Sequence, residues 1–510
     1  MFSGDLSPFD QRRSGILLHP TSLPGNGSNG VLGHHARRFA GFLQRTGFSV
    51  WQTLPLGPTH EDLSPYNCLS VFACDSRLIC FAELVRKGWL KSLPQYKARS
   101  FEQDLDYRNR VLQRAWEGFS SHAGAADRQA FERFVTEEAY WLDDYALYTA
   151  LRTTQQRRHW VDWPAELKNR QAAAMEQARR RLAELIAVTR FEQFLVNQQW
   201  LDLKQYANQR NILMFGDIPM FVAHDSAEVW ARRDLFTVDA EGRPETVAGV
   251  PPDYFSEDGQ LWGNPLYRWD RMQEDDFAWW VHRFQRQLAL YDLVRIDHFR
   301  GFEAYWEVDS KATTAKDGHW VKAPGDALFQ VLKRAFPDLP MVAEDLGVIT
   351  PEVERLRKAH HLPGMKVLQF GFDGKDDNMH LPHNYTEDCI AYTGTHDNNT
   401  TVGWFDSLHR EAQDYVMSKI DYVEEGLPWS LIRTTLESIA IMAIIPLQDA
   451  MALGEEARMN VPGVTGGNWR WRFHWEQIDD ALQQKLLEIN LKAGRVCTAE
   501  EPSQPASLLE

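Results

Sequence analysis

The sequence lacks the cysteine patterns of a disulfide scaffold or a zinc site. It has five cysteines among 510 residues, an odd number, with no Cys-x-x-Cys pair and no histidines nearby at zinc-ligand spacing. A fold stapled by disulfides and a structural zinc site are therefore not expected. The cysteines are predicted to be reduced and inert.

Long apolar runs are also missing. The first twenty residues contain no stretch typical of a signal peptide, and no segment is long enough to cross a membrane. The most apolar run, from Ile439 to Leu447, is short and contains Pro446. We therefore expect no membrane partner and a cytoplasmic location.

Positive charge is in short supply. Lys and Arg total 55 against 71 Asp and Glu, a net charge of −16 that repels a phosphate backbone. Nucleic acid is therefore a poor candidate partner, whereas an uncharged polymer needs no basic surface. The 44% hydrophobic and 25% charged fractions are typical of a globular protein.

Aromatic residues, in contrast, are plentiful. The 19 Trp, 15 Tyr and 27 Phe offer many flat apolar faces of the kind that sugar rings contact. Most of them are expected to fill the core of so large a protein. The aromatic content permits carbohydrate binding but does not require it.

Eight short apolar runs alternate with helical patterns, which is typical of βαβ units around a parallel sheet. The predicted strands are residues 15–20, 49–56, 212–222, 293–296, 340–343, 365–372, 389–393 and 439–447. Residues 76–198 carry helical spacing with few turn signals and are predicted to form a mainly helical insertion. The sequence thus predicts an α/β fold: a single (β/α)8 TIM barrel domain over residues 1–510, with helical insertions between barrel strands.

A large dinucleotide-binding fold is the alternative. Residues 25–30, GNGSNG, match the Gly-x-Gly-x-x-Gly pattern between a strand and a helix. That fingerprint also needs an acidic residue at the end of the next strand, where this chain has Leu54-Pro55-Leu56. We prefer a loop whose glycines permit tight turns.

Acidic residues follow three of the predicted strands, at the barrel end where catalytic groups gather. Arg295 and Asp297 share one face of their strand, and the arginine would keep the carboxylate ionised. Glu344 follows apolar residues that favour its protonated form, and His396 and Asp397 lie in the loop after the seventh strand. Each acid alone could equally be a helix cap or an ion-pair partner.

Together, these groups suit cleavage of a glycosidic bond with retained stereochemistry. That chemistry needs a carboxylate nucleophile and a carboxylic acid roughly 5–5.5 Å apart. Asp297 and Glu344 are the predicted pair. Asp397 and His396 suit the holding of sugar hydroxyls as the ring distorts.

The chain resembles a known family in eight ordered segments. They are GILLHPTSLPG, SPYNCLSVFA, GDIPMFVAHDSAEVW, GVPPDYFSEDGQLWGNPLY, RIDHFRGF, VAEDLG, TGTHDNNTT and EARMNVPGVTGGNWRWR. These are similar to the 4-α-glucanotransferases of glycoside hydrolase family 77, also called amylomaltases or disproportionating enzymes.

The resemblance implies Asp297 as nucleophile, Glu344 as general acid/base and Asp397 as transition-state stabiliser. It also implies a set of substrate contacts, of which Tyr254, Phe255 and Trp262 belong to a long loop that folds over the cleft. The implied contacts are Tyr66, Asp217, Tyr254, Phe255, Trp262, Arg295, His396 and Asn468. For Asp217 a structural hydrogen bond, and for Tyr254 and Phe255 simple packing, remain alternatives.

The implied reaction is disproportionation of malto-oligosaccharides and of glucans derived from starch or glycogen, with glucose as acceptor and product. A lid that limits water while it stacks the acceptor would favour transfer over hydrolysis. No metal or organic cofactor is expected. A retaining α-amylase-type hydrolase and a silent glucan-binding scaffold remain the rivals.

Two features qualify the resemblance. The family usually has Asn-Pro where this chain has Asp75-Ser76, so the backbone of that loop is expected to differ. The chain begins almost directly at the barrel, so no separate starch-binding module is expected.

Overall fold

The computed structural model describes residues 8–25, 27–93, 95, 100–252, 256–464 and 466–497. Twelve strands lie within this part of the chain, and each was assigned a number in chain order. They are β1 Arg13–Leu17, β2 Val50–Gln52, β3 Leu213–Ile218, β4 Thr246–Val250, β5 Gln260–Pro265, β6 Leu293–Ile296, β7 Ala304–Asp309, β8 His319–Lys322, β9 Met341–Ala343, β10 Gly364–Val367, β11 Cys389–Tyr392 and β12 Met442–Pro446.

Eight of these strands form one parallel sheet in the order β10-β11-β12-β1-β2-β3-β6-β9. The amide of Ala343 in β9 donates a 2.9 Å hydrogen bond to the carbonyl of Pro363, next to β10, and so closes the sheet into a barrel. The eight barrel strands correspond to the eight predicted apolar runs, so the predicted (β/α)8 fold is confirmed. Their ends differ from the prediction by a few residues, because apolar residues such as Leu54, Leu56 and Val222 continue the runs beyond the strand ends into loops.

Helices surround this barrel. Within the described residues they are α1 His34–Arg45, α2 Phe81–Arg86, α3 Phe101–His122, α4 Ala125–Glu137, α5 Ala139–Thr154, α6 Ala165–Lys168, α7 Ala172–Arg181, α8 Ala183–Asn208, α9 Ala227–Ala231, α10 Trp269–Glu274, α11 Ala278–Leu290, α12 Gly325–Ala335, α13 Pro351–Ala359, α14 Thr401–Ser407, α15 Arg410–Lys419, α16 Trp429–Glu437, α17 Leu447–Ala450 and α18 Asp480–Lys492. None of the helices in the described ranges is long and apolar enough to span a membrane.

The first βα unit shows why the sequence folds in this way. In α1, Phe39, Phe42 and Leu43 are fully buried at the i, i+3, i+4 spacing of one helix face. The chain then turns at Gly47, whose φ of 79° lies in the left-handed region that favours glycine. α2 to α8 all lie between β2 and β3, and α8 packs against α5 and α1.

The barrel strands divide their side chains between two layers. Leu293 on β6 belongs to an interior cluster with residues of the other barrel strands, such as Phe215 and Ile444. Val294 and Ile296 instead pack outward in the larger core against the helices. Because side chains alternate along a strand, Arg295 points to the barrel interior with Leu293.

A second sheet of four antiparallel strands, in the order β5-β4-β7-β8, was not predicted from the sequence. β4 and β5 precede β6 in the chain, and β7 and β8 follow it, so this sheet stands beside the mouth of the barrel. A small cluster of Val247, Val308 and Ala315 forms its own core. The sheet carries the segments that flank the candidate site.

Candidate active site

Asp297 and Glu344 follow neighbouring strands at the same level of the barrel. β6 pairs with β9 so that Ile296 lies opposite Ala343. Asp297 and Glu344 come directly after these two residues, at the ends of their strands. The amide of Glu344 donates a 3.0 Å hydrogen bond to the carbonyl of Ile296. Since neighbouring strands lie about 4.8 Å apart, this register brings the two carboxylates within reach of one sugar ring.

Arg295 holds two carboxylates at once. Its guanidinium donates to Asp297 at 2.7 Å and to Asp217, on the adjacent β3, at 2.6 Å. The Tyr66 hydroxyl donates to the same oxygen of Asp217 at 2.7 Å. Asp217 is buried, and burial raises the pKa of its carboxyl, which the contact with Arg295 opposes. The guanidinium therefore fixes Asp297 in place.

Burial of its carboxyl favours the protonated form of Glu344. Burial raises the pKa of its carboxyl to about 7; nearby Arg295 opposes this shift and Asp297 adds to it. The carboxylate accepts hydrogen bonds from the amides of His298 at 2.7 Å and Leu346 at 3.0 Å. A carboxylic acid that is half protonated near neutral pH suits general acid/base chemistry.

His298 adopts an unusual backbone conformation. Its φ of 52° lies in the left-handed region, which is uncommon for residues other than glycine. His298 directly follows Asp297, the candidate nucleophile. In this conformation its amide donates to the carboxylate of Glu344, the candidate acid, so one strained residue contacts both parts of the acidic pair. The sequence carried no signal for this backbone feature.

Asp397 lies in the loop after β11, and its side chain is about half exposed at 48%. Asn460 donates to its carboxylate at 2.7 Å, and Arg458 donates to its backbone carbonyl at 2.8 Å. His396 Nε2 lies 3.4 Å from the other carboxylate oxygen. Burial lowers the pKa of His396, which keeps the imidazole neutral near pH 7. Asp397 is thus held in position while it remains accessible from the cleft.

Asp449 fixes both ends of the loop that carries His396 and Asp397. Its buried carboxylate accepts hydrogen bonds from the hydroxyl of Thr393 at 2.6 Å, and from the amide and hydroxyl of Thr401 at 2.6 and 2.7 Å. Thr393 follows β11 and Thr401 begins α14, so one carboxylate closes the loop between them. Sequence reasoning missed Asp449, although it lies just after β12, where a strand-end search would include it.

Three rings form an aromatic wall next to Asp217 and Asp397. Tyr66 stacks on His396 with ring centroids 5.2 Å apart and an interplanar angle of 16°. Trp469 lies 6.1 Å from Tyr66 and 5.9 Å from His396. Trp469 was not predicted, although the GNWRW segment that contains it was recognised. Flat rings of this kind suit contact with the apolar faces of sugars.

Asn468 uses its side chain within its own loop. Its amide oxygen accepts from the backbone of Val461 at 3.1 Å, and its amide nitrogen donates to the carbonyls of Val461 and Val464 at 3.2 and 3.0 Å. These bonds position Trp469, the next residue. The predicted direct contact of Asn468 with substrate stays a prediction.

Trp262 lies on β5, beside the acidic pair. Its ring meets His298 edge to face, with centroids 4.8 Å apart, and lies 6.0 Å from Phe221. The indole is 38% exposed. Tyr254 and Phe255, also predicted for this lid, lie outside the described residues.

The unusual Asp75-Ser76 pair has a clear local structure. The Asp75 carboxylate accepts from the amide of Arg77 at 2.8 Å, as a helix N-cap, and forms an ion pair with the Arg77 side chain at 2.5 Å. Asp75 and Arg77 line a cleft of about 320 Å³ that Trp469 also borders. The Asp75–Arg77 ion pair, which this chain has in the segment where it differs from the family pattern, is therefore buried beside the aromatic wall.

The glycine loop at 25–30 is also explained. The Arg472 guanidinium donates to the carbonyls of Leu23, Gly25 and Gly27, at 2.7 to 3.1 Å. The loop thus turns its carbonyls toward a cation, the opposite of an anion cradle built from amides. Among the residues with described positions, no group of three or more His, Cys, Asp or Glu is arranged to hold a metal ion.

Comparisons with known proteins show the family to which the chain belongs. Residues 18–478 match the family described as 4-alpha-glucanotransferase. The chain is 48% identical over 472 residues to a 4-alpha-glucanotransferase of Thermus thermophilus, covering 90% of this chain and 94% of the relative. It is 46% identical over 497 residues to a 4-alpha-glucanotransferase of Synechocystis sp., covering 95% and 98%.

A solved structure has the same fold. The amylomaltase from Streptococcus agalactiae in complex with acarbose superposes with a TM-score of 0.90 at 37% sequence identity. The match covers 96% of this chain and 100% of that one. The overall fold is therefore shared over the whole length of that protein.

Proposed function

The chain belongs to the 4-alpha-glucanotransferase family, and from this premise we propose that it disproportionates α-1,4-glucans by a retaining double displacement at Asp297 and Glu344. The donors are malto-oligosaccharides and glucans derived from starch or glycogen, and the acceptor is the 4-hydroxyl of another glucan or of glucose. The observation that carries this proposal is the register of β6 and β9, which sets the two carboxyl groups side by side.

In the first step, Glu344 donates its proton to the glycosidic oxygen while Asp297 attacks the anomeric carbon. The bond to the leaving sugar breaks, and a covalent glycosyl-Asp297 ester forms with inverted configuration. Arg295 supports this role because its hydrogen bond holds the Asp297 carboxylate in a fixed direction. Asp397, Tyr66 and His396 hold hydroxyls of the same sugar ring as it flattens.

In the second step, Glu344 has lost its proton and acts as a base. It removes the proton from the 4-hydroxyl of the acceptor, whose oxygen attacks the anomeric carbon; the new glycosidic bond forms as the bond to Asp297 breaks and the Asp297 carboxylate leaves. The second inversion restores the original configuration. Water competes with the acceptor here, and Trp262 next to His298 supports transfer by limiting water and offering a flat surface for the acceptor.

Purified protein incubated with maltotriose tests the proposal. Transfer yields glucose together with longer oligosaccharides and no net gain of reducing ends, whereas an amylase-type hydrolase yields only shorter sugars and a steady gain. Asp297→Asn is expected to lower the turnover rate at least about 10³-fold. Its matched control is Asp292→Asn, which changes a carboxylate that precedes the same strand and binds Asn208.

Retention of full turnover by Asp297→Asn would contradict the assigned nucleophile. Maltotriose hydrolysis without longer products would contradict glucan transfer itself. Since the two measurements are separate, the residue roles and the reaction class are tested independently.

The proposal extends to location and domain organisation. All five cysteines are free, as is usual in a reducing cytoplasm, and cell fractionation would test that location. We further propose one catalytic domain over residues 1–510 with the helical insertion at residues 76–198 as an integral part. Limited proteolysis should then leave the insertion attached and release no stable smaller barrel.

A further inference from the structure

The cleft of about 320 Å³ next to the aromatic wall is continuous with the candidate active site. Trp469, a ring of that wall, lines the cleft, and so does Pro65, the residue before Tyr66. The ring of Trp469 in turn lies 6.1 Å from that of Tyr66. Pockets that hold small ligands have volumes of roughly 300–1,000 Å³. We name this space the Arg77 cleft; its lining includes Thr59, Pro65, Asp75, Arg77, Phe101 and Trp469.

Arg77 is held in place from several directions. Its guanidinium forms an ion pair with the carboxylate of Asp75 at 2.5 Å and donates to the hydroxyl of Thr59 at 2.8 Å. It also lies over the ring of Phe101, 5.0 Å from the centroid, as a cation–π contact. Arg77 and Asp75 are only 8% and 6% exposed. The ion pair and the ring therefore form one rigid side of the cleft.

The chemistry of the Arg77 cleft suits an uncharged sugar. The carboxylate of Asp75 neutralises Arg77, and the guanidinium of Arg472 donates to three backbone carbonyls. Flat rings remain, those of Phe101 and Trp469, next to hydroxyl and guanidinium groups in fixed positions. Aromatic rings contact the apolar faces of a sugar, and the polar groups bind its hydroxyls.

The order of the barrel strands indicates which part of a glucan would reach the Arg77 cleft. In the order β2-β3-β6-β9, Glu344 follows β9, whereas the cleft residues between 59 and 77 follow β2, three strands away. Glu344 serves the oxygen that joins the reacting sugar to the leaving or incoming sugar. A sugar in the cleft therefore lies on the opposite side of the reacting sugar, in the part of the donor that is transferred.

Resting on the proposed function, we propose that the Arg77 cleft binds a glucosyl unit of the donor chain beyond the reacting sugar and so gives the protein a preference for long donors. The rings of Phe101 and Trp469 contact the sugar faces, and Arg77 donates to a hydroxyl. Asp75-Ser76, which stands where the family usually has Asn-Pro, supplies the carboxylate that holds Arg77. The subsite therefore depends on a segment in which this chain departs from the family pattern.

Donors with a fluoride leaving group test this subsite, because all their sugar units lie on the donor side. The comparison uses α-maltosyl fluoride and α-maltopentaosyl fluoride, both blocked at the terminal 4-hydroxyl so that neither acts as acceptor. Glucose is the acceptor, and released fluoride is measured. The ratio of kcat/KM for the long donor to kcat/KM for the short donor should exceed one in wild type. Phe101→Ala should lower this ratio roughly threefold to tenfold, the value of one aromatic stacking contact.

Two further variants separate the subsite from the fold. Phe101→Tyr keeps an aromatic ring and should restore most of the ratio. The double variant Asp75→Asn/Ser76→Pro introduces the pair that is usual in the family. Asparagine still caps the short helix that begins at Ser76, and proline suits its first position, but the carboxylate that holds Arg77 is lost. The double variant should therefore lower the ratio as well.

Phe131→Ala is the matched control, since Phe131 is a half-buried ring on α4 that packs against Trp116 with centroids 5.7 Å apart. Its ratio should equal that of wild type. A wild-type ratio of one or less, or an equal loss for both donors in Phe101→Ala, would overturn the subsite. Failure of the wild-type protein to transfer from maltotriose would instead overturn the proposed function, so the two failures are distinguishable.

Discussion

The guanidinium of Arg295 donates a 2.7 Å hydrogen bond to the carboxylate of Asp297, two residues further along the same strand. Through its other amino group the same side chain binds Asp217 on β3. A planar fork with donors in fixed directions can hold two carboxylates in this way, whereas an ammonium group acts as a single point of charge. The arginine is therefore the feature that orders the acidic cluster.

Replacing this fork should impair the reaction more than the fold. In Arg295→Lys the charge remains but the second carboxylate loses its partner, so we expect kcat for maltotriose to fall roughly tenfold to hundredfold. Steady-state kinetics and thermal unfolding measure the two effects. Arg495→Lys, a buried arginine that binds the carbonyls of Ser438 and Ala440 before β12, should lower Tm without changing kcat.

The pH dependence should report Glu344. The first step needs its proton, and its pKa is raised to about 7, so kcat/KM for maltotriose should fall about tenfold per pH unit above that value. A donor with a fluoride leaving group, α-maltosyl fluoride, needs no protonation. With that donor the loss of rate in the first step above pH 7 should disappear, and persistence of the same fall would contradict the role of Glu344 as acid.

Glu344 should also cost stability at neutral and alkaline pH. Its pKa is raised in the folded state, so its contribution to stability is complete below the ordinary glutamate pKa of about 4.3 and is lost as pH rises toward 7. Glu344→Gln removes the ionisation and should therefore unfold at a higher temperature than wild type at pH 8. The expected gain in the free energy of unfolding is on the order of 1–3 kcal/mol. At pH 4 the two proteins should unfold alike, and calorimetry at both pH values checks this.

The loop fixed by Asp449 offers a positioning test. Thr401→Val removes one hydroxyl donor to Asp449, and we expect kcat to fall several-fold while KM for maltotriose changes little, because Asp397 is misplaced. Thr401→Ser keeps the hydroxyl and should restore kcat. A loss in Thr401→Ser without a loss in Thr401→Val would indicate that packing of the methyl group matters and that the hydroxyl contact with Asp449 does not.

Trp262 should govern the choice between acceptors. Trp262→Ala opens the site next to His298 to water, so the ratio of hydrolysis to transfer should rise a few-fold. Net gain of reducing ends, divided by glucose released from maltotriose, measures this ratio. Leu261→Ala changes the neighbouring residue of β5, whose side chain points to the other face of the sheet, and should leave the ratio as it is.

The barrel strands could be predicted because each is a short, almost fully buried run. β11 and β12, for example, are buried at every position, so their apolar residues are continuous in the sequence. β5 and β8 are largely exposed, and their residues include glycine, glutamine, histidine and lysine, so no period of two marks them. The second sheet depends on pairing between distant segments, which a local pattern does not encode.

The candidate site divides in a similar way. Asp297, Glu344 and Asp397 each follow a predicted strand, and strand ends meet at one mouth of a barrel. The contribution of Asp449 arises from hydrogen bonds to Thr393 and Thr401 that only the folded chain brings together. Asn468 shows the reverse: a motif residue expected at the substrate is hydrogen-bonded to its own loop.

The pairing of β1 with β12 has a consequence for the nascent chain. β1 is hydrogen-bonded to β12, with Arg13 opposite Met442, so β1 meets this neighbour only after all the strands between them have been synthesised. Until then β1 has an unsatisfied edge, and such edges invite aggregation. Barrel assembly should accordingly be late and slow, as expected for contacts between residues so far apart in sequence.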